Sequence, residues 1–175
     1  MSKVYGNIAQ YAPVREEPRR TVAAYGMQPE ADGTNATWHE VCFYHKRDGK
    51  PTLESIKKAI TADIDARTTD RIRSTFTWNQ KPVWLSIENQ MDWKAAYDRA
   101  LQSDGANLPL KFKLGEQPDG TPVYHTFTSV NAFGDFHAAY LQHIQQCLAD
   151  GYAEKDGIDW PPYAATVPSA SPSGQ

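Results

Sequence analysis

Three groups of side chains in this sequence carry atoms that could do chemistry. His39, Cys42 and His45 recur at every third position. That spacing offers two imidazoles and a thiol, the donor types that zinc sites use. The same residues fall in a strand-like segment, where successive side chains alternate. Cys42 then points away from both histidines, and no fourth ligand lies near in sequence. The group reads as two half-buried histidines and a core thiol. His143 and Cys147 lie four apart, with Asp150 and His137 near the same surface. An imidazole there could activate a thiolate or complete a ligand pair. Cys147 also falls on the apolar stripe of its helix, where a thiol behaves as a small hydrophobe. Asp63, Asp65 and Asp70 could supply an acid–base pair for hydrolysis. Their neighbours Arg67, Arg71 and Arg73 make a solvated helix face the simpler reading.

Two further patterns carry less. Asn35-Ala36-Thr37 matches the glycosylation triplet, a short pattern frequent by chance. Trp78, Trp84, Trp93 and Trp160 offer indole faces for a sugar, yet they are spread over a hairpin, a helix and a domain end. The residue patterns thus assign no catalytic, cofactor-binding or metal-binding residue, and the expected class is a non-enzymatic protein.

Composition narrows the partners. The chain has 175 residues, 40% of them hydrophobic, with 18 basic against 21 acidic side chains and a net charge of −3. There is no global positive excess to hold a polyanion. From residue 129 onward only Lys155 faces Asp135, Asp150, Glu154, Asp156 and Asp159, an acidic end that argues against nucleic acid or an anionic membrane. No apolar run approaches the roughly 20 residues needed to span a bilayer, so no membrane insertion is expected. The opening residues lack a signal-peptide apolar region. Cys42 and Cys147 are far apart and read as free, buried thiols, consistent with synthesis in a reducing cytoplasm.

The elements that must position these groups follow from periodicity. Residues 1–35 are interrupted by Pro13, Pro18 and Pro29 yet hold many apolar and aromatic side chains. They read as an extended N-terminal arm that lies along a partner, with Tyr5, Ile8, Tyr11, Val14 and Tyr25 as the partner-binding residues. On that reading, removing residues 1–30 leaves the domain folded. Residues 36–160 read as the domain. Trp38 to Lys46 alternates as a strand covered on both faces. Leu53, Ile56, Ile60 and Ile64 form a helical stripe behind the cap Thr52, with a second cap at Thr69. Residues 75–78 and 83–85 flank a polar turn as a hairpin. Ser86 caps a helix whose apolar side is Ile87, Met91, Ala95 and Leu101. Leu108 to Leu114 and Val123 to Phe127 form a second hairpin. Ser129 caps the longest helix, with a stripe from Val130 to Leu148 that Gly151 stops. Residues 161–175, rich in Pro, Ser and Ala, read as a flexible tail. Hairpins interleaved with helices predict an α+β fold: a small antiparallel sheet of about five strands with three helices packed on it.

From Trp38 to Trp160 the chain resembles an uncharacterised domain of bacteriophages and prophages, including those of Bacteroides-type bacteria. The residues that carry the likeness are Lys50-Pro51-Thr52-Leu53, Ile60-Thr61-Ala62-Asp63-Ile64-Asp65-Ala66, and Thr69-Asp70-Arg71-Ile72 leading into Phe76-Thr77-Trp78. They continue with Val83-Trp84-Leu85-Ser86-Ile87-Glu88-Asn89-Gln90, Leu108-Pro109-Leu110-Lys111-Phe112-Lys113 and Cys147-Leu148-Ala149-Asp150-Gly151-Tyr152-Ala153-Glu154-Lys155-Asp156. Tyr152 stands where a tryptophan is expected, and Ser74-Thr75 where a glycine is.

The resemblance implies association with phage tail and tail-fibre proteins and no assigned catalysis. The expected function is a structural or interaction protein of a phage particle, made in the bacterial host cytoplasm and located in the virion. Its expected partners are other phage structural proteins in a homo- or hetero-oligomer. A tail-fibre assembly chaperone is the alternative, and a carbohydrate-binding tip or a hydrolase a further one.

Overall fold

The computed structural model describes residues 2–165. In chain order the elements are β1 (Ser2–Asn7), a 3-10 turn (Ile8–Gln10), β2 (Val14–Glu17), β3 (Arg20–Pro29), β4 (Asn35–Tyr44), α1 (His45–Asp48) and α2 (Leu53–Ser74). They continue with β5 (Thr77–Trp78), β6 (Lys81–Pro82), α3 (Ile87–Gln102), β7 (Leu110–Glu116), β8 (Pro122–Phe127), α4 (Val130–Asp156) and α5 (Pro161–Ala164). The fold is α+β, with a four-stranded antiparallel sheet and two small two-stranded ones. The described residues divide into two compact units, one of residues 2–66 with 152–165 and the other of residues 67–151.

The first unit overturns the expected arm. Residues 2–29 form three strands of the four-stranded sheet, in the order β1-β4-β3-β2. The prolines that read as breakers punctuate these strands: Pro13 precedes β2, Pro18 lies between β2 and β3, and Pro29 ends β3. At strand ends a missing N–H costs no ladder bond. The run from Thr21 to Tyr25 is buried residue by residue, as a strand covered on both faces must be. One face packs Val14, Ala23, Tyr25 and Val41 against Ile56, Ile60 and Ile64 of α2 and Tyr163 of α5. The opposite face holds Ala24, Ala36 and Trp38 under Val4, Ile8, Tyr11 and Met27.

Register locks the arrangement, with Val4 opposite Trp38 and Tyr25 opposite His39. A bulge follows Tyr25, where Gly26 takes φ +64°. The buried Tyr25 hydroxyl donates to the Asp63 carboxylate, and the Tyr163 hydroxyl donates to the Ala24 carbonyl at 2.6 Å. The start of the expected tail is therefore core: Tyr163 is buried, while residues 166–175 lie outside the described residues.

The second unit keeps the expected hairpins and corrects their detail. Asn79 and Gln80 have φ of 48° and 62°, the left-handed pair that a two-residue hairpin loop demands. Ser86 caps α3 by accepting from the Asn89 N–H at 3.2 Å. The inward face of α3 is the reverse of the expected one. Trp93 and Ala100 are buried, with Ala96 and Tyr97 packed beside them, whereas Ile87, Met91 and Leu101 face outward. Trp93 meets Phe136 of α4 edge-on at 5.1 Å, and Phe127 of β8 stacks on Phe133 at 4.3 Å.

α2 runs unbroken through the second cap expected at Thr69, and α4 continues past Gly151 to Asp156. Gly151 does not stop the helix. It lies so close to Thr68 that a Cβ there would strike the threonine hydroxyl, so the missing side chain serves a close approach.

Removing residues 2–30 is expected to unfold the first unit, because it strips three of four strands from the sheet. Loss of far-UV and NMR signals of a folded β-sheet is the readout. Tyr25→Ala should cost about 3–5 kcal/mol in denaturant unfolding, and Tyr25→Phe about 1–2 kcal/mol for the lost hydrogen bond.

Candidate functional site

The groups singled out for chemistry are dispersed or engaged. On β4, His39 tilts against the Tyr25 ring at 5.6 Å. Cys42 lies 3.8 Å from an Arg20 nitrogen, and His45 Nε2 is 3.0 Å from the Thr21 hydroxyl. These three residues face separate partners and do not converge. Asp63 is buried on the Tyr25 hydroxyl, Asp65 pairs with Lys155 at the surface, and Asp70 is exposed. They make no carboxylate pair.

The helix-borne thiol is closer to a catalytic geometry, and the geometry argues against it. His143 Nε2 lies 3.6 Å from Cys147 Sγ and 3.4 Å from the Arg71 carbonyl oxygen. A carbonyl only accepts, so in that contact the nitrogen carries the hydrogen and has no lone pair for the thiol proton. Burial pushes the Cys147 thiol above its ordinary value, outweighing the Arg71 charge that favours the thiolate. His137 stacks on Tyr97 at 4.9 Å and meets Tyr140 edge-on at 4.9 Å. Desolvation pushes its imidazole down, with Lys94 adding to the effect and Asp98 opposing it. The same burial raises the Tyr140 phenol to about 12.

The five expected partner-binding residues separate. Val14 and Tyr25 are buried in their own core and cannot dock on a neighbour. Ile8 and Tyr11 are half-buried against Trp38, with the Tyr11 ring edge-on to the indole at 5.8 Å. Of the five, Tyr5 is the exposed one, at 64%. Residues 2–29 form strands of this chain's own sheet and do not form a free arm.

Two surface features of the second unit remain. The first is an apolar groove between α3 and α4, lined by Ile87, Met91, Lys94, His137, Tyr140 and Leu141. Ile87 is 60% exposed, Met91 67% and Leu141 41%, and patches of this kind mark contact surfaces.

The second feature is a cleft of about 620 Å³ between the Pro82–Trp84 segment and the end of β7, within the size range of small-molecule sites. Of the five tryptophans, Trp38 and Trp93 are buried, Trp78 and Trp160 half-buried, and Trp84 alone is exposed, at 46%. The cleft lining also includes the half-buried Pro82, the buried Val83 and Leu114, and the polar Ser74, Asn89, Lys113 and Glu116.

The backbone builds this cleft. Trp84 N–H donates to the Leu114 carbonyl at 2.7 Å, where β7 is bulged between Lys113 and Gly115. A Cβ at Gly115 would come within 2.8 Å of the Pro82 carbonyl oxygen and 3.2 Å of the Trp84 nitrogen. Only glycine lets the segments approach this closely. Asn89 donates its amide to the Trp84 carbonyl at 2.8 Å and so fixes the residue that carries the indole. Lys113 and Glu116 pair at 2.5 Å. Sequence reasoning found Trp84 among the tryptophans but missed its companions. The glycine inside strand β7 was the signal available, since such a glycine marks a bulge or a close backbone contact.

No family model, curated protein or solved structure matches this chain.

Gly115→Ala should lower stability by about 1–3 kcal/mol, since the obstructing atoms are backbone and cannot rotate away. Unfolding in denaturant measures it. A pH dependence also follows. His125 and His137 both lie below the ordinary 6.5 because of desolvation. The unfolded chain then takes up protons first as pH falls. Stability should be full above about pH 7 and decline as pH drops through about 6. His137→Phe keeps the ring against Tyr97 and should flatten that slope in thermal melts.

Proposed function

We propose that this chain is a non-enzymatic structural or interaction protein of a bacteriophage particle, a tail, tail-fibre or accessory component. It is made in the host cytoplasm and is carried in the virion. The likeness to phage domains from Trp38 to Trp160 supports the particle role. The observation that carries the interaction role is the exposed Ile87–Met91–Leu141 surface beside the α3–α4 groove. Water-facing side chains of this size gain free energy when covered, about 25 cal/mol per Å² of apolar area, and a neighbouring subunit would cover them. The thiol and imidazoles of this unit, by contrast, pack as core and helix-seam groups. The partner is another structural protein of the particle, in a homo- or hetero-oligomer, seated on α3 and α4 instead of on an N-terminal arm.

Mass spectrometry of purified particles tests the first half: the chain should be present at a fixed ratio to the structural proteins. An assembly chaperone would use the same surface and be absent from mature particles. The second half is tested by Met91→Glu with Leu141→Glu. Both side chains are exposed, so the melting temperature should hardly move while incorporation falls at least tenfold. Normal incorporation of that variant would overturn the assignment of the face.

A further inference from the structure

We infer that the Trp84 cleft is a binding site for an uncharged saccharide, a pyranose unit of a larger glycan. The argument is independent of the particle role and starts from what the cleft presents to water. It has one accessible aromatic side chain, Trp84, beside the half-buried Pro82, while Val83 and Leu114 line it from within the core. A ligand that fills it must have a flat apolar side. A pyranose ring has one, the layer of axial C–H bonds, and an indole accepts it as it accepts other apolar faces. The rim of the cleft is polar and directional. Asn89 gives one of its two amide N–H groups to the Trp84 carbonyl at 2.8 Å, and its amide oxygen remains an acceptor. The Ser74 hydroxyl donates to the Asp70 carbonyl at 2.7 Å and keeps its lone pairs. Glu116 accepts and Lys113 donates. Acceptors and a donor around an apolar patch match the alternating hydroxyls of a sugar.

Charge decides between ligand classes. Lys113 and Glu116 neutralise each other at 2.5 Å, so the lining carries no net charge to select an anion or a cation. A nucleic-acid strand fits less well. It needs stacking positions for successive bases and a cationic track for phosphates, whereas this cleft offers one indole and sets a carboxylate in its wall. The other nearby lysines are also engaged: Lys111 sits over the Tyr124 ring at 4.5 Å, and Lys81 donates to the Tyr124 carbonyl at 3.5 Å. The site is also prebuilt. The Gly115 approach, the Trp84–Leu114 backbone bond and the Asn89 bond hold the segment bearing the indole, which lowers the ordering cost of binding.

The experiment is a glycan array on the full-length protein, followed by titration of the best neutral glycan and its methyl pyranoside, with amide and indole NMR shifts as readout. Binding of neutral glycans is expected, with shifts centred on the Trp84 indole N–H, Asn89 and residues 113–116. Trp84→Ala should weaken binding at least tenfold with the melting temperature unchanged, because the side chain is exposed. Trp84→Phe should retain part of it, and Glu116→Gln, which leaves the Lys113 charge uncompensated, should weaken neutral-glycan binding and shift preference toward acidic glycans. Three results would each overturn the inference: no glycan above background, shifts that map away from Trp84, or a single-stranded oligonucleotide bound in preference at physiological salt. None of these alters whether the chain is found in purified particles, so the two proposals fail separately.

Discussion

Strand β3 sets the constraint on which the first unit depends. It has a hydrogen-bonded neighbour on each side and buries every residue from Thr21 to Tyr25. A strand covered on both faces must find cover, and this one finds it in α2 and Tyr163 on one side and in Trp38 with the start of the chain on the other. Both faces recruit residues far away in sequence, Tyr163 among them. The buried Tyr25 hydroxyl needs an acceptor in that environment, and Asp63 supplies it. A carboxylate that could have belonged to an acid–base pair is thereby committed to holding the sheet on its helix. Breaking either partner would leave a buried polar group uncompensated, the more costly outcome in a low-dielectric interior.

In the second unit, aromatic packing plays the corresponding part. Trp93, Phe127, Phe133, Phe136 and Tyr140 form one contact network, and α3 turns the face bearing Trp93 toward it. A helix has only one inward side. Once Trp93 is placed there, Ile87, Met91 and Leu101 are directed to solvent. The exposed apolar surface is thus a consequence of which large side chain took the core. Burial within this unit lowers the basicity of His137 and raises the Cys147 thiol above its ordinary value. For His137 and Cys147, burial opposes the charged forms that catalysis would use.

The cleft beside Trp84 has a different origin. It is made by backbone contact between the residues after β6 and the bulged end of β7, where Gly115 removes the Cβ that would hold the two apart. Its indole is open because the segment is pinned from behind, through the Leu114 carbonyl and the Asn89 amide. The proposed docking face on α3–α4 and the proposed ligand cleft near β7 are compatible with each other. They draw on different residues, so loss of one need not weaken the other.

The sequence by itself determined the local elements wherever period and caps agree: the Ile56–Ile60–Ile64 stripe of α2, the Ser86 cap of α3, the two hairpins and the long α4. These depend on neighbours a few residues away, and their physics is local. Tertiary structure decided the rest. Within residues 2–29, β1 and β3 pair with β4 while β2 pairs with β3, and this pairing leaves little mark in a segment whose prolines lie at strand ends. Helix α3 carries apolar residues on two sides, so its own pattern could not say which faces inward; the volume of Trp93 against Phe136 did. Gly151 read as a helix stop, whereas it marks a close approach to Thr68, a residue distant in sequence; Gly115 marks another, to Pro82. Which tryptophan stays open to a ligand, and which tyrosine becomes core instead of contact surface, depended on the same non-local packing.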